Sequence, residues 1–307
     1  MKILLAFDGS DSSEAAVRQA ASRPWPEGTR ICVLNVVDLF TFHSPRAGSL
    51  LIDAQVRAGE FLVKAAADRL SSHGLEVEST VIKGYPPSAI VDYAKEWGAD
   101  FIIIGSQSSG TIRRFLLGSV AQVVLRHAHC SVEIVRQREE KASPSAPMKI
   151  LLATDGSEFS LAAARSIAAR PWPERTEVKV VCVLHMPDPM AETWEGSSEA
   201  IARIESEYYE EAEEDVTDAE KLIKGAGLKV TSSVLEGYPK AVILDEADRW
   251  RADLIVVGSH GRRGVTRLVM GSVSEAIALY ADCSVEVIRK NKGSRSIDRV
   301  QSQAAER

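Results

Sequence analysis

The chain has 307 residues, 45% of them hydrophobic, with 37 Lys and Arg against 43 Asp and Glu for a net charge of -6. This length exceeds the roughly 100–200 residues of an ordinary domain and predicts two domains, while the hydrophobic share excludes a disordered chain. The acidic balance argues against a general nucleic-acid-binding surface, and no apolar run reaches the roughly 18–20 residues of a membrane span.

The first apolar run, Ile3 to Phe7, reads as a strand. Asp8 ends it too soon for a secretory leader, so a cytoplasmic protein is expected. Asp8-Gly9-Ser10 reads as a turn into an Ala-rich helix from about Ser12 to Ser22, with Ser or Asp as N-cap. Arg23-Pro24-Trp25-Pro26 packs the turn that follows, its prolines fixing the backbone. Strands are predicted at Ile31 to Val37 and Val77 to Ile82. Ile90, Ala94 and Trp97 fall at helical spacing, and Phe101 to Ile104 is a continuous apolar run of the kind buried on both faces of a sheet. A helix follows Gly118, and a last strand ends near Val135. The cysteines Cys32, Cys130, Cys182 and Cys283 form no CxxC pair and read as buried thiols.

The pattern then begins again. Met1 to Ser10 reappears as Met148 to Ser157, and Arg23 to Glu27 as Arg170 to Glu174, both at a spacing of 147. Gly84-Tyr85-Pro86 returns as Gly237-Tyr238-Pro239 at a spacing of 153, as do Gly105-Ser106, Gly118-Ser119-Val120 and Cys130-Ser131-Val132-Glu133. Ile243, Ala247 and Trp250 repeat the amphipathic helix, Leu254 to Val257 the buried strand, and the last strand ends near Ile288. A period this long is a whole domain, not a solenoid unit. The expected division is a first domain at 1–137, a Ser- and Pro-containing linker at 138–147, a second domain at 148–290 and a polar tail at 291–307. Alternating strands and helices make each copy an α/β, Rossmann-like domain with a parallel sheet between helix layers.

Ligands in such sheets bind outside the carboxyl ends of the strands, at the topological switch point. There the second copy carries Asp155 after its first strand, Val183 near the end of its second, then Gly258-Ser259-His260-Gly261 and, after nine more residues, Gly271-Ser272-Val273-Ser274 before a helix. Glycines let the backbone approach an anion, and successive N–H groups at a helix start bind phosphate oxygens. Ser272 and Ser274 can add hydroxyl donors, Arg262, Arg263 and Arg267 can neutralise phosphate charge, and Asp155 can accept from ribose hydroxyls. No P-loop sequence occurs.

This arrangement resembles the universal stress protein family, as a tandem of two such domains of the ATP-binding type. The likeness runs from Met1 to about Lys290 and is most specific at Gly258, Gly261, Gly271 and Ser272. It implies two adenine nucleotide alpha hydrolase-like domains, each a five-stranded parallel sheet flanked by helices, and association through the last strand. It further implies a role in stress survival, with ATP, with or without Mg, as a regulatory ligand. Ala153, Thr154, Asp155 and Val183 resemble the residues that hold adenine and ribose; Gly258, Gly261, Gly271, Ser272, Val273 and Ser274 resemble those that hold the phosphates. In the first copy the resemblance carries over to Asp8, Val36, Gly105, Gly118 and Ser119. That copy departs from the pattern: Ser108 stands where the middle glycine belongs, and Ala121 replaces the final serine.

Other readings compete. His127-Ala128-His129-Cys130 fits no common zinc spacing. His260 sits inside the glycine loop, as a phosphate or solvent partner or as a general base. The run Glu210-Glu211-Ala212-Glu213-Glu214-Asp215 reads as a solvated helix face, or as a partner-binding surface of the second copy. No Ser/His/Asp set can be assigned, and no catalytic residue is expected. The functions in contention are an ATP-binding stress regulator, a nucleotide-independent scaffold, and a slow ATPase. Pairing of the two domains within the chain about a pseudo-twofold axis is expected to cover the last-strand edges, with a homodimer as a further level.

Overall fold

A computed structural model describes residues 1–39, 45–106, 117–137, 146–185, 198–262 and 270–290. The expected linker, the tail, Arg263, Arg267 and Ser108 lie outside these or at their margins, apart from residues 146 and 147. In the first half, β1 (Lys2–Ala6), α1 (Asp11–Ser22), β2 (Arg30–Asp38), α2 (Pro45–Ser71), β3 (Glu76–Gly84), α3 (Pro86–Trp97), β4 (Phe101–Gly105), α4 (Ser119–His127) and β5 (Ser131–Val135) follow in order. The second half repeats them as β6 (Lys149–Thr154), α5 (Glu158–Ala168), β7 (Glu177–Leu184), α6 (Ser198–Gly225), β8 (Lys229–Glu236), α7 (Pro239–Trp250), β9 (Leu254–Gly258), α8 (Ser272–Tyr280) and β10 (Ser284–Ile288). None of the helices described is long and apolar enough to cross a membrane.

All ten strands join one sheet in the order β3-β2-β1-β4-β5-β10-β9-β6-β7-β8. Pairing is parallel throughout each half. In each half the strand order therefore reverses between the first and fourth strands, β1/β4 and β6/β9, the switch point at whose carboxyl ends a crevice opens. The β4 and β9 runs are buried along their whole length, as strands covered on both faces must be. The long α2 and α6 turn Val63, Ala66, Ala67 and Leu70, and Ala212, Val216, Ala219 and Ile223, into the core at helical spacing. Each Arg-Pro-Trp-Pro turn is closed by its tryptophan: Trp25 Nε1 donates to the Ala20 carbonyl and Trp172 Nε1 to that of Ile167, each at 2.8 Å. All four cysteines are buried and outside any disulfide, and burial pushes the Cys32 and Cys182 thiols up to about 11.

The halves meet where β5 pairs antiparallel with β10, Glu133 directly opposite Glu286. Both glutamates are 0% exposed. Two carboxylates side by side in a dry seam need counter-charges, and each half supplies one. Arg23 bonds Glu133, joined by the Gln19 amide, and Arg170 Nη2 reaches Glu286 Oε1 at 2.5 Å. The guanidiniums are stacked among aromatic rings, Arg23 at 4.9 Å from Trp25 and Arg170 at 4.8 Å from Trp172. Burial pushes the Glu286 carboxyl up; Arg170 and Arg23 oppose this and Glu133 adds to it. A reciprocal pair of arginines completes the junction. Arg136 donates to the Ala278 and Leu279 carbonyls of α8 at 2.7 and 2.9 Å, and Arg289 to the Leu125 and Arg126 carbonyls of α4 at 2.7 and 3.2 Å. Each half thus places a cation on the negative end of a helix in the other.

Arg170→Met leaves Glu286 without its guanidinium, and urea unfolding at neutral pH is expected to show a loss of about 3–5 kcal/mol. The double variant Arg170→Met/Glu286→Leu recovers most of it. The carboxyl of Glu286 has its folded pKa raised, so its ionisation destabilises the fold as pH rises. The single variant's deficit accordingly shrinks as pH falls through this raised value toward the ordinary carboxylate range.

Candidate functional site

Both Asp-Gly-Ser turns are built alike. The aspartate Oδ1 accepts from the serine N–H two residues on, Ser10 to Asp8 at 2.9 Å and Ser157 to Asp155 at 3.2 Å. The glycine takes a left-handed φ of +79° at Gly9 and +70° at Gly156. The serine then caps the helix, Ser10 Oγ accepting from Ser13 N–H and Ser157 Oγ from Ser160 N–H. Chain reversal at the switch point and the start of α1 or α5 are thus one device.

In the second half, Ala153 and Thr154 end β6, Asp155 follows, and Val183 lies one strand over in β7; Ala153, Asp155 and Val183 are half-buried. Thr154 is buried, and its hydroxyl donates to Ser160 Oγ at 3.1 Å, so it serves the start of α5. The glycine loop is tied at its base. Gly271 N–H donates to the Ser259 carbonyl at 2.9 Å, and the Ser274 hydroxyl donates to the Gly258 carbonyl at 2.6 Å. Ser274 therefore gives its proton to the loop backbone, where a phosphate donor was expected; Ala121 cannot make this bond in the first half. Ser272 stands exposed at the start of α8, whose N-cap Gly271 carries no side-chain cap. The first-turn N–H groups of α8 have no partner within their own helix.

The glycines differ in what they do. A Cβ on Gly258 would lie 2.6 Å from the Phe159 carbonyl carbon and 2.8 Å from Ser160 N. Gly105 meets Ser12 in the same way, at 2.6 Å. These two glycines let α1 and α5 close onto the sheet. A Cβ on Gly261 would lie 2.5 Å from Asp155 Oδ2. That oxygen accepts from the Arg262 N–H at 2.9 Å, so Asp155 holds the glycine loop.

Two neighbours of this site have partners that the sequence reading did not give them. Arg262, expected to face phosphate, instead pairs with Glu211 at 3.1 Å and with Asp215, both on α6. Most of the Glu210–Asp215 run is exposed as expected, but the Asp215 side chain is only 17% exposed and packs against Gly156. Burial raises the Asp215 carboxyl above its ordinary range, with Arg262 opposing and Asp155, Glu211 and Asp218 adding. His260 is buried beside Phe159, with Nδ1 3.0 Å from Ser259 Oγ and Nε2 without a partner.

In the first half the equivalent place is a cavity of about 260 Å³. Asp8, Val36, Gly105 and Gly118 line it, together with Ser10, Asp38 and Ala121. Its size is close to the lower end of the roughly 300–1,000 Å³ of small-molecule sites. Ser119 opens α4 beside Gly118 and is exposed.

A doubly wound α/β unit written twice, with a glycine loop over the carboxyl ends of its strands, defines a tandem Rossmann-like protein. The family model described as the Universal stress protein family matches it twice, over residues 1–136 and 147–289, and the chain belongs to that family. A universal stress protein of Mycolicibacterium smegmatis is 28% identical over 297 residues, covering 94% of this chain and 96% of its own length. One of Methanocaldococcus jannaschii is 34% identical over 144 residues, covering 47% of this chain and 83% of its own. The crystal structure of a universal stress protein from Archaeoglobus fulgidus shares the fold, with a TM-score of 0.63 at 20% identity over 95% of this chain and 97% of that one.

The two kinds of glycine separate in a stability measurement. Gly258→Ala forces α5 off the sheet and is expected to cost about 1–3 kcal/mol, read as a lowered Tm. Gly261→Ala meets only a carboxylate oxygen, so Tm holds while the Arg262 amide loses its protection from hydrogen exchange.

Proposed function

We propose that the chain is an ATP-binding universal stress protein that acts as a stress-response regulator in the cytoplasm, holding nucleotide mainly in its second half. The observation that carries this reading is the complete Gly-x2-Gly-x9-Gly-Ser pattern, fastened at its base beside the uncapped start of α8. An anion seated there meets backbone N–H groups and the positive end of the helix together. Gly261, Gly271, Ser272 and Val273 face the phosphates in this reading, while Gly258 and Ser274 act by holding the loop. Ala153 and Val183 give adenine an apolar wall, with Thr154 and Asp155 beside the ribose. Asp8, Val36, Gly105, Gly118 and Ser119 form the matching site of the first half. Mg accompanies the triphosphate. We divide the chain into domains at 1–137 and 148–290, with a linker at 138–147 and a tail at 291–307. No residue is assigned to hydrolysis, and the protein is read as a binder whose occupied and empty forms differ toward partners, a second chain included.

A second reading, a scaffold that works without nucleotide, is favoured by the exposed acidic face of α6. Nucleotide released on denaturing the purified chain separates the two. One or two adenine nucleotides per chain are expected, and Gly261→Asp abolishes the second-half share by setting bulk and negative charge against phosphate. A chain that emerges empty and binds no added ATP overturns the nucleotide reading.

A further inference from the structure

The two sites differ at one place that the glycine pattern does not include. Beside the Asp-Gly-Ser turn of the first half stands Leu62, whose Cδ1 would lie 3.3 Å from a Cβ on Gly9. At the matching place in the second half stands Asp215, against Gly156. The match is set by the helix core: Val63, Ala66 and Leu70 of α2 correspond at the same spacing to Val216, Ala219 and Ile223 of α6, all buried. One turn earlier, Ala58 corresponds to Glu211. The second half has therefore placed two carboxylates where the first has a leucine and an alanine.

These carboxylates have one cation between them. Arg262 reaches across the mouth of the site, its guanidinium on Glu211 and Asp215 and its backbone N–H on Asp155. Its side chain is 47% exposed and that of Asp215 17%. A single residue thus fastens the glycine loop both to the turn after β6 and to α6. It is also the described cation nearest in sequence to Gly261, the residue expected against phosphate. One guanidinium cannot give its best geometry to two carboxylates and a phosphate at once.

We propose that Arg262 is a latch on the second site: Asp215 and Glu211 hold its guanidinium, and nucleotide binds by taking it from them. This rests on the nucleotide reading of the same site and adds its regulation. With the latch held, Glu211 and Asp215 sit on the guanidinium and Asp155 on the Arg262 N–H, and an incoming phosphate meets net negative charge. Protonating Asp215 loosens the pair, so mild acid opens the second site. The groups that face Asp215 are Asp155 after β6, the neutral thiol of Cys182 in β7, Glu211 and Asp218 on α6, and Arg262 on the loop. Burial raises its carboxyl toward the range where this switching occurs. The first half, with Leu62 and Ala58 in place of the carboxylates, has no such latch on its helix. One chain then carries two nucleotide sites that answer differently to proton concentration.

The test uses the full chain and 8-azido-ATP, with labelled peptides mapped by mass spectrometry to report each half separately. Asp215→Asn, which keeps the volume and removes the charge, is expected to tighten second-half labelling roughly tenfold while leaving the first half unchanged. It also removes the gain in second-half affinity that wild type shows on moving from mildly alkaline to mildly acidic buffer. Asp215→Glu restores the wild-type behaviour. Without nucleotide, Asp215→Asn speeds hydrogen exchange at the Arg262 amide. Should Asp215→Asn fold poorly, Glu211→Gln, at an exposed position, gives the same direction at smaller size. Second-half labelling of equal affinity in wild type and both variants, with unchanged amide exchange, overturns the latch and leaves nucleotide binding standing. Labelling of neither half in any variant overturns the nucleotide reading itself.

Discussion

Glu133 and Glu286, facing each other across β5 and β10 with no exposure to water, set the condition that the rest of the molecule meets. Two like charges in a dry seam are unfavourable unless each finds a cation. Arg23 and Arg170 supply the cations, Gln19 a further donor, and the tryptophans of the two Arg-Pro-Trp-Pro turns the walls. The arrangement works in one register. Slipping β10 by a residue would turn its core-facing side chains to the opposite face and separate Glu286 from Arg170. Burial here contributes specificity of pairing more than strength, because an apolar seam of the same area would close as firmly but with less choice of partner.

That junction explains why two halves with the same fold behave as one sheet. A five-stranded parallel sheet ends in an exposed edge, and an edge of unpaired N–H and C=O groups invites association. Here the two edges satisfy each other, and Arg136 and Arg289 cross the seam to cap the helices opposite. The repeat of the whole domain, the reciprocal arginines and the facing glutamates follow from one pseudo-twofold relation. Comparing the copies then shows which positions serve packing. Gly105 and Gly258 meet the same close approach of helix to sheet, whereas Ser274 against Ala121 and Asp215 against Leu62 differ around the site.

The repeat and the alternation of buried strands with amphipathic helices made the α/β architecture legible before any coordinates, because both are local patterns. The helix α2 was not legible to the same degree. Its buried residues keep helical spacing, but Leu50 and Phe61 are 74% and 75% exposed and blur the apolar stripe. Glu133 gives no local sign of burial; a carboxylate between valine and isoleucine reads as the wet face of a strand until Arg23, far earlier in the chain, is placed beside it. Asp215 has the same difficulty. It is the last carboxylate of an acidic run, and only the close approach of α6 to Gly156 tells it from its solvated neighbours. The glycines raise the converse difficulty. Gly258 looked like a ligand position, and its lack of a Cβ is required by Phe159 and Ser160 of α5.

An acidic chain proposed to bind a polyanion must meet two opposed requirements, and the placement of its charges bears on both. Much of the acidity of the second half lies on α6 and faces solvent, where salt screens it within about 8–10 Å. Glu211 and Asp215 lie beside the glycine loop, and both pair with Arg262. A cation already neutralised by two carboxylates offers a phosphate an exchange of partners, so the net gain is set by the difference between them. That difference is small compared with either interaction alone and is therefore responsive to protonation, to salt and to single substitutions on α6. On the proposed reading, the glycine loop supplies a surface for an anion, and the helix beside it sets the conditions under which an anion is accepted.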